Sequence, residues 1–159
     1  MIMPIIDSHG RRINYLRLSV TDRCNMRCRY CMPQDGIPKL EHNDILSYEQ
    51  LYRLSQAAVS LGIEKIRVTG GEPLVRKGIV DFLAQLSKLP GLKQLVMTTN
   101  GLQLPEMAAD LKRSGVQRLN ISLDTLRPEV FKSITRRDGL DRVLAGIAAA
   151  ETVGIPIKL

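Results

Sequence analysis

Segments with helical spacing of apolar residues alternate along this chain with short segments typical of strands. Helical apolar spacing begins at a capping box formed by Ser47 and Gln50 and continues to Gly62, after which IEKIRVT has the composition of a strand. The same change from helix to glycine to strand recurs, and the glycines are Gly62, Gly91, Gly115 and Gly154. With YLRLSV as the first strand, five strands alternate with helices. This order predicts an α/β fold with a parallel sheet or barrel.

Apolar residues recur at every second position along each predicted strand. Parallel strands that are buried on both faces are apolar throughout, so this pattern needs another explanation. Because side chains change face at every residue, all five strands can turn their apolar set towards the helices. The polar set then shares one interior face. Its members are Tyr15, Arg17, Ser19, Arg67, Thr69, Thr98, Asn120, Ser122, Asp124 and Lys158.

A polar, cationic interior indicates an open barrel around a cavity, since a closed eight-stranded barrel fills its interior with bulky side chains. The cations Arg17, Arg67 and Lys158, together with the Thr98 hydroxyl, suit a phosphorylated ligand through charge-assisted hydrogen bonds. The alternative is an antiparallel sheet with one solvated face. That alternative fits the alternation but does not explain the intervening helices.

Length and charge narrow the possible classes of protein. A chain of 159 residues is long enough for one domain with a core, and no segment resembles a membrane span or a secretory signal. We therefore predict a cytoplasmic protein without membrane contact. The net charge of +7 suits either an anionic partner or a solvated basic surface. Aromatic residues make up only 4% of the chain, so we expect no stacking platform for single-stranded nucleic acid.

All three cysteines, Cys24, Cys28 and Cys31, lie within eight residues in the spacing C-x3-C-x2-C. They occur in the longest irregular stretch, residues 21–46, which is a length typical of functional loops. A structural zinc site needs four ligands, usually in paired knuckles, and neither histidine lies at such a spacing. Buried thiols without a chemical role fit this polar context poorly. An iron–sulfur cluster held by three thiolates is the third interpretation, and the neighbouring arginines are expected to favour the thiolates. Those arginines are Arg23, Arg27 and Arg29.

The cysteine motif, with an aromatic residue (Tyr30) just before its last cysteine, resembles the radical S-adenosylmethionine (radical SAM) superfamily. The segment TGGEP, Thr69 to Pro73, follows the second strand and resembles the glycine-rich loop that contacts the cofactor in that superfamily. From its residues alone, this segment is a loop whose glycines permit close approach of the backbone to a ligand. The resemblance implies a [4Fe–4S] cluster on Cys24, Cys28 and Cys31, with one iron left open for S-adenosylmethionine. One-electron cleavage of that cofactor then yields methionine and a 5′-deoxyadenosyl radical.

Longer segments are similar to the GTP 3′,8-cyclase family of molybdenum cofactor biosynthesis, and they are LRLSVTDRCNMRCRYCMP, KIRVTGGEPLVR, MTTNGLQL and RLNISLDTL. This resemblance implies an incomplete (β/α)6 barrel of the radical SAM type. It also implies S-adenosylmethionine contacts at Tyr30, Gly71 and Ser122, and GTP contacts at Arg17, Arg67, Thr98 and Lys158. The implied reaction transfers the 3′ hydrogen of GTP to the 5′-deoxyadenosyl radical and joins C3′ to C8 of guanine. The product is (8S)-3′,8-cyclo-7,8-dihydroguanosine 5′-triphosphate.

Members of that family are longer than this chain and carry a further strand and a second, guanine-binding [4Fe–4S] cluster. We therefore expect residues 1–159 to form a partial radical SAM core domain, truncated after about five strands and without the second cluster. We expect slow cyclase turnover relative to a full-length homologue, and a one-electron donor as a partner. An exposed apolar edge strand also favours self-association into a homodimer.

Two other interpretations remain open from the sequence. One is a radical SAM enzyme with a different substrate, because only the resemblance identifies guanine. The other is a zinc-stabilised basic module that binds nucleic acid. The second interpretation explains neither the glycine-rich loop nor the missing fourth ligand, so we expect no nucleic-acid partner.

Overall fold

Strands and helices alternate along the part of the chain that the computed structural model describes, residues 5–38 and 44–159. The strands are β1 (Tyr15–Ser19), β2 (Lys65–Thr69), β3 (Gln94–Thr99), β4 (Arg118–Ile121) and β5 (Ile157–Lys158). The helices are α1 (Tyr48–Ser60), α2 (Ile79–Ser87), α3 (Leu104–Arg113), α4 (Pro128–Thr135) and α5 (Leu140–Thr152). A short 3₁₀ turn, Pro73–Val75, follows β2.

The five strands form one parallel sheet in the order β1-β2-β3-β4-β5. This sequential order is that of a barrel wall, whereas a doubly wound sheet reverses its order at a switch point. Right-handed crossovers that always advance in one direction place every connecting helix on the same face of the sheet. The α/β class and the parallel arrangement are therefore confirmed, and the sheet is consistent with an incomplete barrel.

The register of the strands confirms that the two faces differ. Buried apolar side chains lie opposite one another on the helix-facing side, and this row is Leu18, Val68, Met97 and Leu119. One residue earlier on each strand, Arg17 pairs with Arg67, Arg67 with Val96, and Val96 with Arg118. We call the side that carries these arginines the interior face. By the crossover argument, the described connecting helices pack on the opposite face.

The helix ends agree with the sequence pattern except at one glycine. Ser47 and Gln50 form the predicted capping box, with the Ser47 N–H donating to the Gln50 side chain over 2.8 Å. Three of the four glycines directly follow a helix C-cap with positive φ, and they are Gly62, Gly115 and Gly154. Helix α2 instead ends at Ser87, before Gly91. Pro90 explains the difference because it disfavours the helical conformation of the residue before it.

The predicted irregular stretch, residues 21–46, is confirmed for the residues that the structure describes. Residues 21–38 and 44–46 contain no α-helix or strand, and residues 39–43, which include His42, lie outside the described part. None of the described helices combines the length and apolar character needed to cross a membrane.

Candidate active site

The loops that follow β1 and β2 are joined at the carboxyl edge of the sheet. The Gly71 N–H donates to the Thr21 carbonyl over 2.7 Å, and the Glu72 N–H donates to the Arg23 carbonyl over 2.8 Å. An added Cβ at Gly71 would overlap the Arg23 carbonyl. The missing side chain is therefore required for backbone packing, and this packing holds the first cysteine next to the glycine-rich loop.

Residues 24–31, here called the cysteine loop, are anchored at their centre and along one side. Met26 is 2% exposed and belongs to the hydrophobic core. The backbone N–H groups of Arg27 and Arg29 donate to carbonyls in the last turn of α4, over 3.0 and 2.9 Å. Helix α4 thus positions the three thiols, although it lies about one hundred residues further along the chain.

Arg136, directly after α4, clamps the cysteine loop from outside. Its guanidinium donates to the carbonyls of Arg27 and Met32, each over 3.0 Å. Arg136 has a φ of 54°, and it is the one residue other than glycine with positive φ in the described ranges. That left-handed conformation costs about 1–2 kcal/mol, which the two hydrogen bonds offset. No local sequence pattern identifies this contact.

Burial controls the chemistry of the first two thiols. Cys24 and Cys28 are partly buried, and this burial raises the pKa of each thiol. The Met26 N–H, 3.4 Å from the Cys24 sulfur, and the Tyr30 hydroxyl beside Cys28 act in the opposite direction and lower those pKa values. The net pKa of both thiols is raised, with burial as the largest cause, although the neighbouring arginines were predicted to favour the thiolates. Arg27 instead donates to the carbonyls of Cys24 and Met26, both over 2.8 Å, so its charge is directed towards the backbone.

The chemistry of the three thiols suits an iron–sulfur cluster. Across residues 5–38 and 44–159, no group of three Cys, His, Asp or Glu side chains is placed to hold a single metal ion. Iron–sulfur clusters are held by cysteine thiolates and are tuned by hydrogen bonds to sulfur. Cys24 accepts such bonds from Met26 and, at 3.9 Å, from the Asn100 amide. The donor set is therefore suitable for a cluster held by three thiolates.

Glu72 of the glycine-rich loop is a buried structural carboxylate, 1% exposed. Its oxygens accept from the Leu74 N–H (3.1 Å), the Thr99 hydroxyl (2.8 Å) and the Asn100 N–H (2.7 Å). Burial raises the pKa of Glu72, while these hydrogen bonds lower it. The Asn100 amide continues the network to Asn25 over 2.7 Å. Glu72 therefore connects the glycine-rich loop, the end of β3 and the cysteine loop.

We expect Glu72→Gln to destabilise the protein by about 1.5–3 kcal/mol, because an amide offers one acceptor where the carboxylate offers two. The amide nitrogen would face either the Asn100 N–H or the Leu74 and Thr99 donors. Urea unfolding measures this change, and the exposed Glu49→Gln in α1 serves as the matched control. Equal stability of the two variants would contradict the structural role of Glu72.

Tyr30 joins the cysteine loop to the segment after β4. Its hydroxyl donates to Asp124 over 3.0 Å, while the side chain as a whole is 68% exposed. Desolvation of the hydroxyl and the bond to Asp124 raise the pKa of Tyr30. Ser122 lies at the same edge, where its N–H donates to the Thr99 carbonyl over 2.9 Å. The predicted cofactor residues Tyr30, Gly71 and Ser122 therefore all lie in loops at the carboxyl edge of the sheet.

The interior face carries more positive charge than the sequence pattern indicated. Arg17 and Arg67 lie directly opposite each other, and Arg118 continues their row. The Nε atoms of Arg67 and Arg118 are buried and have no hydrogen-bond partner among the described residues. Burial and the charges of Arg118 and Arg67 lower the pKa of Lys65, which shows that these cations lie close together. The sequence pattern that begins at Leu119 does not include Arg118, and the same alternation extended by one residue towards the N-terminus adds Arg118 to the polar face.

A second polar row lies nearer the carboxyl edge. Thr98 pairs with Asn120, and Asn120 pairs with Lys158, so the two remaining predicted GTP residues share this row. Asn120 was not predicted as a site residue, and its Oδ1 is buried without a partner in the described part of the chain. Two residues along a strand separate the rows, a distance of about 7 Å. The interior face thus presents cations and polar groups that are suited to an extended polyanion.

Comparison with known sequences supports the resemblance to the radical SAM superfamily. The model of the radical SAM superfamily matches residues 18–159. The GTP 3′,8-cyclase of Geobacter sulfurreducens is 70% identical over 154 residues, which cover 97% of this chain and 47% of that protein. The GTP 3′,8-cyclase of Peptoclostridium acidaminophilum is 60% identical over 156 residues, 98% of this chain and 48% of that protein. The chain thus spans about half the length of these curated relatives.

Solved structures share the fold at low sequence identity. Streptococcus suis SuiB bound to S-adenosylmethionine is 18% identical with a TM-score of 0.76, over 91% of this chain and 32% of SuiB. Methylornithine synthase (PylB) is 15% identical with a TM-score of 0.72, over 90% of this chain and 42% of that protein. The fold, the three-thiol loop and the family match agree, and the chain belongs to the radical SAM superfamily.

Proposed function

We propose that this chain provides the S-adenosylmethionine site and part of the GTP site of a GTP 3′,8-cyclase in molybdenum cofactor biosynthesis. One observation carries the proposal. Arg17, Arg67 and Arg118 lie in one row of the sheet whose carboxyl edge holds the three thiols, and the buried Nε atoms of Arg67 and Arg118 have no hydrogen-bond partner among the described residues. The relatives named GTP 3′,8-cyclase support the same assignment.

Cys24, Cys28 and Cys31 would hold a [4Fe–4S] cluster, and Tyr30, Gly71 and Ser122 would contact S-adenosylmethionine. When bound, these two groups supply a 5′-deoxyadenosyl radical through one-electron cleavage of the sulfonium. The residues of the chain itself position the reacting groups. Its Glu72 network and Arg136 keep the cysteine loop fixed relative to the sheet, and a fixed geometry is what a radical reaction at one carbon requires.

Arg17 and Arg67, with Thr98 and Lys158 in the next row, would bind the triphosphate and ribose of GTP. Directly opposed arginines repel each other, so a polyanion between them removes an unfavourable interaction as well as forming charge-assisted hydrogen bonds. Arg118 and Asn120 extend the two rows and are proposed as additional contacts. These groups orient the substrate, and no acid–base step is assigned to them.

The deciding experiment is anaerobic reconstitution of the protein with iron and sulfide, followed by reduction with dithionite in the presence of S-adenosylmethionine, with and without GTP. We expect 5′-deoxyadenosine to be released and GTP to increase its release. No 5′-deoxyadenosine from a protein with an intact cluster would overturn the radical SAM activity of this chain. Release that does not respond to GTP would favour the other interpretation from sequence, a radical SAM enzyme with a different substrate.

Arg67→Gln is expected to weaken GTP binding about 10- to 100-fold, because a charge-assisted hydrogen bond contributes about 1.5–3 kcal/mol. Equilibrium dialysis of GTP measures the change. Arg53→Gln, at an exposed position on α1, removes the same charge away from the interior face and is the matched control. Equal affinities of the two variants would show that the arginine row does not bind the nucleotide.

The remaining partners belong to the same proposal. A one-electron donor is required to reduce the cluster, and GTP is the substrate. Self-association through an edge strand, the absence of a nucleic-acid partner and a cytoplasmic location stay predictions from the sequence.

A further inference from the structure

A second cationic surface lies on the outside of the cysteine loop. The loop and helix α4 enclose an open cleft of about 380 Å³, which we call the basic cleft. Five of its lining residues are cations, and they are Arg27, Arg29, Lys132, Arg136 and Arg137. None of them belongs to the two polar rows of the interior face. The basic cleft is therefore a separate concentration of positive charge.

Most of this charge is not neutralised within the chain. Lys132 pairs with Asp138 over 2.9 Å. The other four cations make no ion pair with a carboxylate in the described ranges, and Arg27 and Arg136 donate to neutral carbonyls. Such clustered like charges create a strong local potential that attracts and orients an acidic partner.

The basic cleft is directly joined to the thiols. Arg27 lies between Cys24 and Cys28, and Arg29 lies between Cys28 and Cys31. Both arginines are hydrogen-bonded through their backbone N–H groups to the last turn of α4, so the two walls of the cleft are held together. A macromolecule seated on this cleft therefore contacts the same loop that supplies the proposed cluster ligands.

We propose that the basic cleft is the docking surface for a small acidic protein that carries one electron. This inference rests on the proposed function, because it assumes a cluster on the three thiolates. In the docked complex, one electron passes from the reduced carrier to the cluster, so that the carrier is oxidised by one electron and the cluster is reduced by one. Redox complexes of this kind are transient, have small interfaces and depend on electrostatic steering, which fits an exposed cationic cleft.

The test measures binding of an acidic FMN-containing flavodoxin to the reconstituted protein by biolayer interferometry. The double variant Arg29→Glu/Arg137→Glu reverses two exposed charges whose side chains form no described hydrogen bond, so the fold is expected to persist. The control Arg53→Glu makes the same type of change at an exposed position on α1 that does not line the basic cleft. We expect at least about a tenfold loss of flavodoxin affinity in the double variant and little change in the control.

Wild-type binding is also expected to weaken between about 0.01 and 0.15 M ionic strength, where the screening length falls from about 30 Å to about 8 Å. Flavodoxin binding that is absent, insensitive to salt or equal in the two variants would overturn the docking surface. Tight, variant-sensitive binding of a single-stranded DNA oligomer without flavodoxin binding would overturn it too. Release of 5′-deoxyadenosine with dithionite tests the proposed function separately, because this small reductant needs no docking site.

Discussion

Replacement of Cys28 by alanine is expected to abolish cluster assembly and the formation of 5′-deoxyadenosine. The motif holds every cysteine in the chain, so no other thiol can substitute for the lost ligand. Changes to groups that only support a metal ligand already cost about 10- to 100-fold in metal affinity or activity, and loss of a ligand itself should exceed that range. Iron and sulfide content after anaerobic reconstitution, together with 5′-deoxyadenosine yield, measures the effect.

The matched control for this change is Asp35→Ala, at an exposed position shortly after the cysteine loop. It should retain wild-type iron and sulfide content because Asp35 supplies no thiolate. A Cys28→Ala protein that still binds a full cluster and cleaves S-adenosylmethionine would contradict the ligand assignment. The same outcome is expected for Cys24 and Cys31.

Gly71→Ala is expected to destabilise the protein by about 1–3 kcal/mol or more, the usual effect of forcing an extra carbon into a packed region. The added Cβ overlaps the Arg23 carbonyl and approaches the Asp22 carbonyl to 2.9 Å. Both neighbours are backbone atoms, so relief requires the segment of chain leading into Cys24 to move. We therefore expect lower cluster content as well as a lower free energy of unfolding, measured by iron analysis and by urea denaturation.

Gly10→Ala separates the packing effect from the general effect of replacing glycine. An added Cβ at Gly10 meets no atom within 4 Å, although its φ of 74° makes the substitution conformationally unfavourable by about 1 kcal/mol. We expect this control to retain full cluster content. Equal cluster loss in both variants, or none in Gly71→Ala, would show that close packing of Gly71 on Arg23 does not position the cysteine loop.

The strand pattern was the most informative feature of the sequence. Alternation predicted which face of each strand is apolar, and the register confirms it for Leu18, Val68, Met97 and Leu119. Val96 is an exception, because it places one buried apolar side chain on the interior face. Alternation succeeds because side-chain direction in a strand depends only on position along the chain. The same logic correctly grouped Arg17 with Arg67 on one face of the sheet. It did not reveal that their row also contains Arg118, which depends on where β4 begins.

The sequence pattern did not predict contacts between segments that are far apart along the chain. The sequence predicts a glycine-rich loop that can approach a ligand, but it does not reveal that the Glu72 carboxylate in this loop is buried and accepts from Thr99 and Asn100. Arg136 clamps residues that are more than one hundred positions away. The arginines of the cysteine motif were expected to favour thiolates, but burial dominates and raises the pKa of Cys24. Each of these outcomes depends on which backbone groups the fold brings into contact.

By itself, the sequence determined the alternation of strands and helices, the two faces of the sheet and the three thiols that suit an iron–sulfur cluster. These properties are local, because they follow from residue type and from spacing along a single segment. Only the tertiary structure decided that the cysteine loop is held between the glycine-rich loop and α4, and that its outer side forms a basic cleft. The reason is physical. Hydrogen bonding and burial depend on neighbours in space, and the fold brings together neighbours that are far apart along the chain.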